Sequence, residues 1–217
     1  MIVYGSTLSP FVRKVLVVAA EKGLEVETRA SRPGEPPPEG FEEASPFRKI
    51  PALRDGDFTL ADSTAIAVYL DAKHPEPRLI PEEPQARGRV MWFDEFSDTI
   101  SQPSKLKIFF NRVVAPMIGR PADEAAAQKA EAEELPRIYA YLERVAPPAG
   151  SFLVGDRLSL ADISVASPFV NLQHAGSPLD AAAYPRLAAW VEPILARPSF
   201  AALVARDAAF LERARAR

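Results

Sequence analysis

Cysteine is absent from this chain of 217 residues. No disulfide staple, thiolate metal site or protein-borne sulfur chemistry is open to it. Histidine is nearly absent as well. The only two, His74 and His174, are too few for a multi-histidine metal cluster. Each closes a helical stretch, before Pro75 and before Ala175-Gly176 respectively, where an imidazole suits the last helical carbonyls. A Ser/His/Asp triad and a resident metal are therefore not expected. An excess of one charge is missing too: 26 basic against 29 acidic residues leave a net charge of −3. That balance gives no footprint for nucleic acid or an anionic membrane. No apolar run approaches the roughly 20 residues of a membrane span. The start Met1-Ile2-Val3-Tyr4 lacks the charged and apolar regions of a signal peptide, so a cytoplasmic protein is the expectation. No internal repeat is visible.

What is present divides the chain in two. Residues 2–5 read as a short strand, and Val12, Val15, Leu16, Ala19 and Ala20 then recur with helical spacing until Gly23. Leu24, Val26 and Thr28 alternate with charged residues, which predicts a second strand and a βαβ unit. "PGEPPPEG", residues 33–40, reads as a surface loop, with a polyproline ligand for a partner as the alternative. "IPALRDGDFTLAD", residues 50–62, predicts two strands joined by the Asp55-Gly56 turn. Ile66, Tyr69 and Leu70 mark a helix over about 63–74.

"HPEPRLIPEEPQ", residues 74–85, is rich in proline and aperiodic, the signature of a linker. Beyond it every pattern is helical. A long helix from about residue 85 carries Val90, Phe93, Phe96 and Ile100, and Pro103 is expected to end or kink it. "LKIFFNRV" follows, then helix over 123–146 with a kink at Pro136. Residues 158–172 are apolar nearly all round, as in a core helix, and Ser159 with Asp162 has the spacing of a capping box. Leu187, Trp190, Val191, Ile194 and Leu195 form another stripe, and Phe200, Leu203 and Val204 begin the last helix.

One stretch carries chemistry. In "STLSPFVRKV", residues 6–15, Pro10 suits the first helical position and Ser9 falls at the N-cap. A hydroxyl there caps the helix. Beside the free donors and partial positive charge of a helix N-terminus, it also suits an anionic ligand. The residues alone leave both readings open. Ser6 and Thr7, further from the helix start, are worse aimed rivals.

Four patterns in order, "SPFVRKV", "RKIPAL", "ADSTAI" and "GDRLSLADIS", make the chain resemble the soluble glutathione S-transferases, in their serine-type, bacterial-looking form, over nearly its whole length. The resemblance implies an N-terminal thioredoxin-like βαβ–ββα domain over 1–78, a linker over 79–85 and an all-helical C-terminal domain over 86–217. It implies glutathione as co-substrate and no metal. Ser9 would hydrogen-bond and stabilise the thiolate. Pro51 would be cis, leaving the backbone of Ile50 to pair with the cysteinyl part of glutathione. Asp62 would take the γ-glutamyl ammonium, and Ser63 with its helix N-terminus the α-carboxylate. Lys49 would reach the glycyl carboxylate. Phe11 would border glutathione and, with Phe96, Ile100 and Phe109, an apolar electrophile, although that aromatic face also fits plain core. Two departures stand out: Ser45-Pro46-Phe47-Arg48 where the family often has Asn-Pro-x-Gly, and Asp62 where Glu is common. The implied partners are a hydrophobic electrophile and a second copy of the chain. The other functions this fold admits are a non-catalytic binding or regulatory protein and a glutathione-dependent isomerase, dehalogenase or peroxidase.

Overall fold

The structure, a computed structural model, describes residues 1–30 and 36–215. Of the proline-rich loop expected at 33–40, residues 33–35 lie outside the described residues. The chain divides into two compact units, residues 1–81 and 82–217, and the break falls within the proline-rich stretch.

The first unit contains β1 (Ile2–Tyr4), α1 (Pro10–Glu21), β2 (Glu27–Arg29), α2 (Phe41–Ala44), β3 (Ala52–Asp55), β4 (Phe58–Ala61) and α3 (Ser63–Lys73). Its sheet has the order β2-β1-β3-β4, with β1 parallel to β2 and antiparallel pairing elsewhere. This is the βαβ–ββα arrangement the hydrophobic spacing predicts. Val3 faces Thr28 on one side and Leu53 on the other, so β1 is central and its Val3 and Tyr4 are fully buried. Two details differ from expectation. The second strand is only three residues long, and Leu24 and Val26 precede it without pairing as strand. The short helix α2 was not legible, because four residues are too few to display a helical period. It lies against β3 and β4 and contributes Phe41 to a small core with Tyr4 and Ala52.

A buried ion pair ties the end of this unit down. Lys22 Nζ lies 2.7 Å from the Asp71 carboxylate and donates to the His74 and Pro77 carbonyls. Asp71 in turn accepts from the backbone N–H groups of Leu79 and Ile80.

Apart from turns and irregular connections, the described residues of the second unit are helical: α4 (Pro84–Glu95), α5 (Gln102–Phe109), α6 (Ala115–Met117), α7 (Glu124–Lys129), α8 (Leu135–Val145), α9 (Leu160–His174), α10 (Pro185–Leu195) and α11 (Pro198–Arg215). Pro103 does not end the helix, nor does Pro136. Residues 96–101, 110–114 and 130–134 are π-helical, and helix resumes beyond each. The apolar helix α9 is the core element, buried from Leu160 to Leu172 and packed against α4, α5 and α10. Among the described residues no single helix is long and apolar enough to cross a membrane.

Candidate functional site

The candidate residues of the first unit come from three chain segments: the entry to α1, the turn before β3 and the start of α3. Ser9 is the N-cap of α1, with φ −73° and ψ 125°. Its Oγ accepts from Val12 N–H at 3.4 Å, long for a hydrogen bond and therefore a weak cap. The hydroxyl keeps its own proton, for which the described residues offer no acceptor. Ser9 and Phe11 are half-buried. Of the rival hydroxyls, Ser6 accepts from Leu8 N–H at 3.3 Å, and Thr7 also has a partner.

The Ile50–Pro51 peptide is cis. Neither the N–H nor the C=O of Ile50 has a partner among the described residues, although Ala52, two residues on, is paired within the sheet. An unpaired N–H and C=O on one residue at the head of a strand can take an extended peptide as a further strand. Gly5 lets this turn come close: a Cβ there would lie 3.0 Å from Ile50 Cβ and 2.5 Å from Val12 Cγ2, and its φ of +137° favours glycine. Its position between strand and helix was the only signal in the sequence, and it does not single out a site residue.

Lys49 is exposed, and its ammonium has no partner among the described residues. Its neighbour Arg48 has φ +54°, a left-handed conformation that glycine would adopt without strain.

Asp62 is the N-cap of α3 and its Oδ1 accepts from Thr64 N–H at 2.9 Å and Ala65 N–H at 3.0 Å. Two of the free donors of this helix are thus consumed by the protein itself. What remains for an anion is Ser63, whose N–H and hydroxyl have no partner among the described residues. Asp62 keeps its second oxygen uncommitted. Its backbone, φ 81° and ψ 132°, is one an L-residue rarely adopts and costs about 1–3 kcal/mol. Nothing in the sequence announced that strain. Strained residues gather at ligand sites.

The four residues of the expected electrophile face are divided between the units. Phe11 belongs to the first. In the second, Phe96 and Phe109 are buried, Phe96 against Tyr141 with ring centroids 5.0 Å apart, which is a core role. Ile100 is 48% exposed and is the open one.

Comparison with known proteins extends over both units. Residues 3–78 match the family model of the glutathione S-transferase N-terminal domain, and residues 109–207 that of the C-terminal domain. Glutathione S-transferase 3 of Zea mays is 34% identical over 93% of this chain and 92% of its own. A glutathione S-transferase structure from Rhodospirillum rubrum F11 superposes with a TM-score of 0.83 at 26% identity, covering 93% of this chain and 90% of that one. A structure of glutathione S-transferase-I bound with lactoylglutathione gives 0.82 at 26% identity, over 94% and 98%.

Proposed function

From the premise that the chain belongs to the glutathione S-transferase family, we propose that it joins the glutathione thiolate to an apolar electrophile, with Ser9 stabilising the thiolate. The observation that carries the reading is the unpaired backbone of Ile50 beside a hydroxyl-capped helix start. The cysteinyl part of glutathione lies along Ile50 strand-fashion. Its α-carboxylate takes the N–H and hydroxyl of Ser63, its ammonium the free oxygen of Asp62, and its glycyl carboxylate the ammonium of Lys49.

The sulfur then faces Ser9. A free thiol has a pKa near 8.5, so only a few per cent is thiolate at neutral pH. Lowering that pKa by about two units takes roughly 2.7 kcal/mol. A charge-assisted hydrogen bond of about 1.5–3 kcal/mol, with the α1 dipole adding under about 1 kcal/mol, is of that size. Serine is not the base here. It donates the proton that its weak cap leaves free, and so holds the anion. The enzyme acts in the cytoplasm as a homodimer. Exposed apolar side chains on the first unit support the dimer: Phe47 is 88% exposed, and Phe58 and Val68 also face outward.

Retention on immobilised glutathione tests the ligand, and its absence would remove the whole reading. Ser9→Ala tests the chemistry. Binding should stay nearly intact while kcat at neutral pH falls about 10-fold to 100-fold. The loss should shrink as pH rises, since solvent then ionises the thiol unaided. A helix cap instead predicts lower stability by about 0.5–2 kcal/mol with a superimposable pH–rate profile per mole of folded enzyme.

A further inference from the structure

The peptide plane between Lys49 and Ile50 carries two groups that point in opposite directions, the Lys49 carbonyl and the Ile50 N–H. The outer end, Ile50 N–H, has no partner among the described residues. The inner end is held. Ser45 Oγ donates to the Lys49 carbonyl at 2.7 Å and accepts from the Lys49 N–H at 2.9 Å. Ser45 is 1% exposed and is itself fixed at both ends of its backbone. Its N–H donates to the Phe41 carbonyl of α2 at 2.8 Å, and its carbonyl accepts from Arg48 N–H at 2.9 Å.

We propose that Ser45 is a positioning residue for glutathione: its single hydroxyl fixes the Lys49–Ile50 peptide from inside, so that the Ile50 N–H is held facing the cysteinyl carbonyl. This rests on the glutathione reading above. Three effects follow from the one oxygen. A planar amide cannot turn one end without the other, so pinning the carbonyl aims the N–H. Donation into the carbonyl also polarises the amide and makes its N–H a stronger donor. Finally, with both backbone groups of Lys49 bonded, the ammonium for the glycyl carboxylate extends from a fixed root. Asparagine, common at this position in the family, offers one acceptor and one donor as well. Its amide can reproduce the pair of bonds, whereas alanine reproduces neither.

S-methylglutathione separates this role from thiolate chemistry because its sulfur is blocked. Titration calorimetry of Ser45→Ala should show its Kd raised about 10-fold, as from the loss of one well-placed hydrogen bond. The KM for glutathione should rise in parallel, while kcat at saturating glutathione stays within about 3-fold. Ser45→Asn should restore the wild-type Kd to within about 3-fold. A variant that merely loosens the fold would lower active protein without this split or this rescue. Ser45→Ala binding S-methylglutathione as the wild type does, or losing kcat with KM unchanged, overturns the proposal. Amide exchange on the wild type carries the test even if Ser45→Ala does not fold. In the free protein the Lys49 amide should exchange slowly and the Ile50 amide fast, with S-methylglutathione slowing Ile50. Fast exchange at Lys49 overturns the proposal. A wild type that does not bind S-methylglutathione overturns the glutathione reading and this proposal with it, whereas normal wild-type binding with an unaffected Ser45→Ala overturns this proposal alone.

Discussion

Lys105 lies on α5 with 1% of its surface exposed, and its ammonium meets no hydrogen-bond partner among the described residues. Its one compensation is the Phe169 ring, whose centroid lies 3.9 Å away, a cation–π contact of about 0.5–2 kcal/mol. Burial pushes its pKa down from 10.5 to about 7. Lys105 therefore holds its proton in the unfolded chain but not in the folded one between about pH 7 and 10.5, and its contribution to stability rises with pH across that window. Below pH 7 Lys105 is protonated in both states and adds no further slope. Lys105→Met keeps the length and removes the charge. It should raise stability at pH 7 by about 1–3 kcal/mol, the gain on removing a buried charge less the lost ring contact. Urea unfolding at pH 7 and pH 9 checks this: the gain should be smaller at pH 9, and an equal or larger gain there would show that Lys105 is not the titrating group.

At the scale of the element, each π-helical segment ends two residues before a proline. Residues 96–101 precede Pro103, 110–114 precede Pro116, and 130–134 precede Pro136. A proline inside a helix lacks an N–H and its ring collides with the carbonyl four residues back. The wider π turn displaces that carbonyl, and the helix continues, whereas α9 and α10 carry Pro168 and Pro193 without such a segment. The start of α9 shows a different device. Ser159 and Asp162 form the expected capping box, but the carboxylate does more than cap. It accepts from Ser159 N–H and Oγ, from Leu153 N–H and from Trp190 Nε1. Burial raises the carboxyl pKa, and these donors oppose the rise. Four donors surround two oxygens, and three of them, the N–H groups of Ser159, Leu153 and Trp190, can only donate, so Asp162→Asn turns an amide NH2 toward at least one of these. With no change of size, it should still cost about 1–3 kcal/mol for each donor left unpaired. An unchanged urea midpoint would show that the box does not hold the α9 core together.

At the scale of the molecule, a chain of 23.7 kDa should sediment at about twice that mass if the proposed homodimer forms. Phe47 provides the internal control. Among the described residues it is the most exposed large apolar side chain, and burying it in an interface should contribute about 1.5–3 kcal/mol per copy. Phe47→Ser should therefore shift the equilibrium toward monomer by at least 10-fold in Kd, with the Tm of the separated chain unchanged. A wild type that sediments as a monomer at micromolar concentration rejects the dimer.

The sequence by itself determined the order of the strands and of the first unit's longer helices, the helical character of the elements beyond the proline-rich stretch, and the capping at Ser9 and Asp162. These follow from periodicity, turn residues and caps, which act between residues close along the chain. Only the tertiary structure decided that Asp62 spends one oxygen on its own helix, that Arg48 occupies a glycine's conformation, and that Ser45 holds the peptide before Ile50. It also decided that Phe96 and Phe109 are core, which helical spacing alone leaves undetermined, since an apolar stripe reads the same whether it meets a ligand or a neighbouring helix. The physical reason is common to all of these. A residue type announces what its side chain can do, whereas which of its donors and acceptors remain unspent depends on partners brought close by folding.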